Sequence, residues 1–137
     1  MTKQQLLRYI DQIKAGDTSS PTKMVIHVLL QQQTVRATVL QDLSGATPSK
    51  VHSILKVLQN IGCVVKMRKD FTWVADNEQW PIYAKIYRKQ LAIGRIQRAI
   101  IQHANDYEKG YAIRSQLEIE TMEDQITELM ELLTNQV

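Results

Sequence analysis

A hydroxyl residue followed directly by proline occurs twice in this sequence, at Ser20-Pro21 and at Thr47-Pro48. Serine and threonine are favoured N-caps, and proline fits the first helical position because the amide there needs no partner within the helix. Each pair therefore predicts the start of a helix, and Gly62 predicts the end of the second one. The helix that follows Thr47 has an apolar stripe at helical spacing, formed by Val51, Ile54, Leu55 and Leu58.

Two more helices are predicted, one before Ser20 and one between the helices that begin after Ser20 and after Thr47. A first helix extends from Thr2 to Ala15 and ends at Gly16, with an apolar face comprising Leu6, Tyr9, Ile10 and Ile13. The helix from Ser20 buries Val25, Val28 and Leu29 and ends near the glutamines 31–33. A short helix capped by Thr34 then runs through Leu43 and stops at Ser44 and Gly45, and its inward residues are expected to be Val39, Leu40 and Leu43.

The segment after Gly62 changes from helical to alternating periodicity. Residues 63–68 are rich in β-branched side chains, Lys69 and Asp70 occupy a turn, and residues 71–74 form a second β-prone run. This pattern predicts a hairpin in which Phe71 and Trp73 cover a small core rather than stack on bases. Cys63 is expected to be a small buried hydrophobe and His27 a structural residue.

The run Thr47-Pro48-Ser49-Lys50-Val51, continued by Ile54-Leu55, Leu58, Ile61-Gly62 and Val64-Val65 and by a basic turn, resembles the recognition helix and hairpin of the winged-helix superfamily. The expected fold class is therefore mainly α with a small β-hairpin wing: a winged helix-turn-helix flanked by N- and C-terminal helices. The order of elements is also similar to that of the dimeric regulators of the MarR type. The aspartate and arginine pattern often found in that family's wing is absent from residues 66–71.

The resemblance implies double-stranded DNA as a partner, and the outward residues near the start of the helix after Thr47 are all capable of hydrogen bonding. Lys50 and His52 are the candidates for base contacts, and Ser49, Ser53 and Lys56 those for phosphate contacts. On the wing, Lys66, Arg68 and Lys69 are expected to reach the backbone or the minor groove. Arg36 and Thr47 complete the predicted DNA-binding set. A polar outward face is also expected of any soluble helix, so the pattern alone leaves both readings open.

Charge is distributed unevenly along the chain. Residues 18–75 contain seven basic and two acidic residues, and residues 79–105 contain five basic and no acidic ones. Residues 115–137 contain six acidic and no basic ones. A basic body with an acidic terminal helix is expected of a protein that binds a polyanion and assembles through a separate element. Chance clustering on solvated faces is the alternative.

The C-terminal part is predicted to consist of two helices. The first begins at Trp80-Pro81 and runs to about Ala104, with Gly94 inside it as a kink, a break or a point of close approach. Residues 105–110 are expected to form a turn. The last helix has an apolar seam at alternating spacings of three and four, which predicts a dimer interface and comprises Ile119, Met122, Ile126, Leu129 and Leu133. Packing of this seam within one chain is the other arrangement with the same pattern.

Several classes of protein are excluded on the residues present. No apolar run is long enough to cross a bilayer, and one cysteine with three scattered histidines provides neither a disulfide nor a metal site. No phosphate-binding glycine loop or activated nucleophile is recognisable, so we expect no enzyme and no cofactor. The sequence is thus interpreted as that of a cytoplasmic protein without membrane contact.

The predicted organisation has three parts: a supporting or dimerising helix at 1–19, a winged helix-turn-helix at 20–76 and dimerising helices at 79–137. The expected function is sequence-specific binding of double-stranded DNA by a homodimeric transcriptional regulator, such as a repressor. The alternative is a winged-helix adaptor in a replication, partition or phage or mobile-element assembly, with a protein partner on the acidic C-terminal helix.

Overall fold

Most of the described residues are helical, and three short strands lie among the helices. The computed structural model describes residues 1–76, 78–102 and 109–134. The elements in chain order are α1 (Lys3–Lys14), α2 (Pro21–Gln32), β1 (Thr34–Arg36), α3 (Ala37–Ser44), α4 (Pro48–Ile61), β2 (Val64–Met67), β3 (Asp70–Trp73), α5 (Trp80–Gln102) and α6 (Lys109–Thr134). The prediction of a mainly helical fold with a small hairpin is confirmed.

Both helix starts inferred from the hydroxyl-proline pairs are confirmed. The Ser20 hydroxyl accepts a hydrogen bond from the Lys23 amide at 3.2 Å, and α2 begins at Pro21. The Thr47 hydroxyl accepts one from the Lys50 amide at 3.3 Å, and α4 begins at Pro48. Each cap satisfies one of the amides that the first helical turn leaves without an internal partner.

The sheet has one strand more than the sequence predicts. Its antiparallel order is β1-β3-β2, so the predicted hairpin of β2 and β3 is confirmed and β1 pairs with the outer side of β3. The hairpin turn is displaced by one residue from the prediction, because Asp70 already belongs to β3 and the turn consists of Arg68 and Lys69. Arg68 has a φ of 59°, in the left-handed region that tight turns require.

Two expectations for the segment 34–44 are wrong. Thr34 does not cap a helix, because it starts β1, and α3 begins only at Ala37. Val39 and Leu43 do not face inward: they are 42% and 49% exposed, and Leu40 is fully buried. Pairing with β3 uses residues 34–36, which shortens the helix to eight residues and leaves it one fully buried contact residue.

Residues 1–84 form one compact unit around a single core. α1 contributes Leu6 and Ile13 to this core, and α4 contributes its whole predicted stripe. Phe71 and Trp73 of β3 are both buried on the core side of the sheet, as predicted, and Cys63 is fully buried. The core therefore runs continuously from α1 through α2 and α4 to the sheet.

Residues 85–137 form a second compact unit. α5 runs without interruption through Gly94, so the helix does not break there. α6 already contains Gly110, so the predicted turn does not extend that far, and residues 105–108 of that prediction lie outside the described residues. The Lys89 ammonium donates to the Gln125 side-chain carbonyl at 2.7 Å, which joins α5 to α6.

Candidate nucleic-acid interface

The turn between α3 and α4 sets the direction in which α4 begins. α3 ends at Ser44 and is capped by Gly45, whose φ of 69° is left-handed, and the Ala46 amide donates to the Ser44 hydroxyl at 3.2 Å. Thr47 then caps α4. Three residues thus separate two helices that contact one another, which is the spacing of a helix-turn-helix.

α4 has two faces of opposite character. Its apolar stripe is buried, with Val51 and Leu58 fully enclosed. The opposite face is solvent-exposed, carries Val57 and Asn60, and includes all the α4 residues predicted to contact DNA: Ser49, Lys50, His52, Ser53 and Lys56. The first turn contains no acidic residue, so the positive end of the helix dipole is not neutralised by a neighbouring side chain. This face can therefore donate hydrogen bonds to base edges or to phosphate oxygens.

One of these side chains is partly committed to its own helix. The Ser53 hydroxyl donates to the Ser49 carbonyl at 3.0 Å, a bond that keeps the side chain close to the helix surface. Thr47 is exposed, but its hydroxyl accepts from the Lys50 amide, so its observed role is that of a cap. Lys50, His52 and Lys56 extend furthest from this face, because they have the longest side chains on it.

The hairpin presents the second group of predicted residues. Lys66, Arg68 and Lys69 are all exposed at or beside its turn. The Lys66 ammonium lies 5.6 Å from the centroid of the Phe71 ring, which orients the side chain along the sheet. Met67 is 66% exposed between them. Three cations on a short, turn-constrained hairpin form a compact basic surface for a polyanion.

Arg36 does not belong to either group in the structure. It lies on β1, directly opposite Asp70 of β3, and its Nε is 3.5 Å from the Asp70 carboxylate. Asp70 is the one acidic residue on the three strands. This pairing differs from the prediction, which has Asp70 in a turn and Arg36 in a helix.

Lys23, a basic residue of the same unit, makes its contacts within the fold. Its ammonium binds the Asp17 carboxylate at 2.6 Å and lies 5.8 Å from the centroid of the Tyr9 ring. Asp17 also accepts from the Ser19 amide and hydroxyl, at 3.1 and 2.6 Å. Lys23 and then Ser19 hold the pKa of the Asp17 carboxyl well below its ordinary value, because their hydrogen bonds favour the charged form.

The residues predicted to form a dimer interface are already partly covered within one chain. Ile119 is 2% and Ile126 is 9% exposed, and the other three members of the seam are half-buried. The seam therefore packs at least in part within the chain, which is the second of the two arrangements that the sequence left open.

Across residues 1–76, 78–102 and 109–134, no group of histidine, cysteine or carboxylate side chains has the geometry to hold a metal ion. No helix within those same ranges is long and apolar enough to cross a membrane. Comparison with known protein families, with curated proteins and with solved structures found no match to this chain.

Proposed function

We propose that this protein binds double-stranded DNA as a homodimeric transcriptional regulator with a winged helix-turn-helix fold. α4 enters the major groove, Lys50 and His52 contact bases, and Ser49, Ser53 and Lys56 contact phosphates. Lys66, Arg68 and Lys69 on the hairpin bind the neighbouring backbone. The observation that carries the proposal is the exposed, acid-free polar face of α4 opposite its buried stripe.

Charge and topology support this proposal from separate directions. A helix, a three-residue turn and a second helix are followed at once by a basic hairpin, so both basic groups belong to one unit. Exposed lysines and arginines that neutralise phosphates release condensed counterions, which makes such binding salt-dependent. A merely solvated helix face would show no dependence on the identity of the DNA sequence.

The direct test is selection of bound fragments from a pool of random duplex DNA at two salt concentrations. We expect an enriched motif with two related half-sites about one helical turn apart, and weaker retention at the higher salt. Retention without a motif would leave only a nonspecific basic surface. No retention at low salt would contradict the proposal.

Variants of α4 and of the hairpin separate base contacts from backbone contacts. Lys50→Ala with His52→Ala should cost about 1–3 kcal/mol per lost base contact and abolish the sequence preference. Lys66→Ala with Lys69→Ala should weaken binding to all sequences alike and reduce the salt slope. Lys14→Ala with Gln4→Ala on the exposed side of α1 is the matched control and should change neither quantity.

A protein-binding adaptor is the second candidate, and one observation favours it. Val39 and Leu43 are one helical turn apart on α3 and are both exposed, forming an apolar surface that a protein partner could cover. Val39→Lys with Leu43→Lys should then abolish capture of that partner, whereas Lys50→Ala with His52→Ala should leave it intact. In the DNA-selection experiment, an enriched motif that Lys50→Ala with His52→Ala abolishes supports the regulator instead.

A further inference from the structure

The tip of the β2–β3 hairpin carries the most exposed large hydrophobic side chain of the first unit, that of Met67, which is 66% exposed. Met67 is the last residue of β2 and pairs directly with Asp70, so only the two turn residues lie beyond it. Because the ladder holds its backbone, its side chain has a fixed place on one face of the sheet. Water therefore surrounds an apolar group at the tip of the hairpin.

Met67 lies on the face of the sheet that is turned away from the core. Val64 and Trp73 form a buried pair on the core face, and the alternation of side chains along a strand places Met67 on the other face. The remaining residues of that outer face are polar except for Val65, and they are Thr34, Arg36, Asp70 and Thr72. The exposure of Met67 is therefore a property of the sheet face and not of an unfilled position in the core.

Positive charge lies next to Met67 along the hairpin. The exposed cations there are Lys66, Arg68 and Lys69. Asp70 is the acidic neighbour, and the Arg36 Nε lies 3.5 Å from its carboxylate, which offsets its charge. Arg68 has a φ of 59°, so the backbone reverses direction within two residues and the tip stays narrow. The tip thus presents one apolar side chain among positive charges.

Such a tip is complementary to the minor groove of duplex DNA. Phosphates line both rims of this groove, and it is about 6 Å wide. Neighbouring strands of a hairpin are already about 5 Å apart before their side chains are counted, so the hairpin as a whole is too wide to enter. A single unbranched side chain at the tip fits, and methionine is one of the apolar residues that proteins insert between base pairs from this side. A contact with phosphates alone would explain the three cations but would leave Met67 in water.

We propose that Met67 enters the minor groove beside the site bound by α4 and wedges between two base pairs, which kinks the duplex. The proposal rests on the DNA binding in the proposed function and adds to it a residue that determines specificity. The cations of the hairpin hold the rims of the groove while the methionine opens the base step. Pyrimidine–purine steps such as TA and CA unstack most easily, so this contact selects such a step at a position that α4 does not touch.

Two other partners fit the tip less well. An anionic membrane surface would attract the cations, but stable binding to it requires a larger apolar area than one side chain provides. A protein partner would have to cover the charged turn residues together with Met67, and interfaces have few charged residues at their centre. Duplex DNA matches the charge, the width and the single apolar group, and it is the partner proposed for α4 of the same unit.

The first measurement is the bend of a duplex that the wild-type protein retains at low salt, by energy transfer between dyes at the two ends of that duplex. We expect the full chain to bend it by about 20–90°. Met67→Leu should bend it like the wild type, whereas Met67→Ala and Met67→Gln should leave it nearly straight, because alanine is too short and glutamine is polar. Leu7→Ala removes another exposed apolar side chain of the same unit, on α1, and is the matched control that should leave the bend unchanged. Circular dichroism of each variant checks that the fold is retained.

The second measurement separates the wedge from the charges. Met67→Ala should weaken binding about tenfold without changing its dependence on salt, because the lost contact is apolar. In selection from random duplexes, the wild type and Met67→Leu should enrich a TA or CA step at a fixed distance from the half-site. Met67→Ala should lose that step and retain the half-site motif.

The outcomes distinguish this proposal from the function on which it rests. No retention of any duplex by the wild type contradicts both. Retention of a duplex that stays straight, or equal bends with the wild type and Met67→Ala, overturns the wedge and leaves DNA binding by α4 in place. A bend that Leu7→Ala also abolishes overturns it as well. Capture of the wild type by vesicles that contain phosphatidylserine, lost in Met67→Ala while no duplex bends, would assign the tip to a membrane surface.

Discussion

Arg36 and Asp70 face each other across the β1–β3 ladder, with the arginine Nε 3.5 Å from the aspartate carboxylate. The two side chains are 64% and 46% exposed, so water screens their attraction and the pair contributes little to stability. Its effect on the surface is larger. Asp70 is next to the basic hairpin turn and is the one acidic residue on the sheet, so it offsets part of the positive charge there.

Asp70→Asn should therefore strengthen DNA binding. The substitution releases Arg36 and removes a negative charge beside the wing, and we expect a rise in affinity of about threefold at low salt, which shrinks as salt screens the charges. Fluorescence anisotropy with labelled duplex measures it. Asp11→Asn on α1 is the charge-matched control, and an equal gain from it would show that only net charge matters.

Removal of the cap on α4 should lower the stability of the protein. Thr47→Ala leaves the Lys50 amide without its partner and should lower the free energy of unfolding by about 1 kcal/mol. Urea denaturation gives this value. Thr47→Ser retains the accepting oxygen and should remain near the wild type. Equal losses in the two variants would show that the methyl group, rather than the cap, is responsible.

Gly62 is required by close packing as well as by its backbone conformation. Its φ is 100°, and a Cβ there would lie 2.5 Å from the Trp80 carbonyl oxygen and 2.8 Å from the Ala84 amide nitrogen. Gly16 has a similar φ of 95°, but a Cβ there would meet nothing within 4 Å. These two glycines thus separate conformational strain from steric overlap.

Gly62→Ala should accordingly be the more damaging of two otherwise similar substitutions. Gly16→Ala should cost about 1 kcal/mol through backbone strain alone, and Gly62→Ala should exceed it by at least about 2 kcal/mol because backbone atoms must move. Thermal or urea unfolding of both variants measures the difference. Equal costs would mean that the start of α5 shifts freely.

Asp17 should make the protein lose stability in acid. Because its pKa in the folded state lies below the unfolded value, the Asp17 interactions stabilise the fold fully above about pH 4. That stabilisation is lost as the pH falls through the folded-state pKa. Asp17→Asn should therefore show less acid destabilisation than the wild type in urea unfolding between pH 6 and pH 2. Asp11→Asn is the control, and an unchanged pH profile for Asp17→Asn would contradict this account.

Cys63 should be unreactive while the protein is folded. It is fully buried, its thiol donates to the Leu58 carbonyl at 3.3 Å, and burial raises its pKa to about 12, so almost no thiolate exists near neutral pH. Labelling by a thiol reagent at pH 8 should be slow in buffer and fast in denaturant. Fast labelling of the folded protein would show that the segment between α4 and β2 opens readily.

Much of the helical structure could be predicted from local signals. The caps at Ser20 and Thr47 and the stops at Gly45 and Gly62 act within one turn of the backbone, so residues adjacent in the sequence are sufficient to identify them. The polar face of α4 was predictable for a related reason, because a helical period sorts its residues into a buried and an exposed side.

β1 shows where such local reasoning ends. Residues 34–36 become a strand only because β3, far along the chain, offers its outer edge: Val35 aligns with Phe71, and the Thr34 and Thr72 hydroxyls lie 3.1 Å apart. No neighbour in the sequence carries that information, so the same residues were interpreted as the start of a helix.

The sequence by itself determined where α2 and α4 begin, which residues α4 buries and which it presents to solvent, because caps and helical periodicity depend on contacts within a few residues. Only the tertiary structure decided that β1 joins the sheet, that Arg36 meets Asp70 and that Ile119 and Ile126 are covered within one chain. Each of these depends on residues brought together from distant parts of the chain, and the free energy of such contacts depends on the whole fold rather than on any one segment.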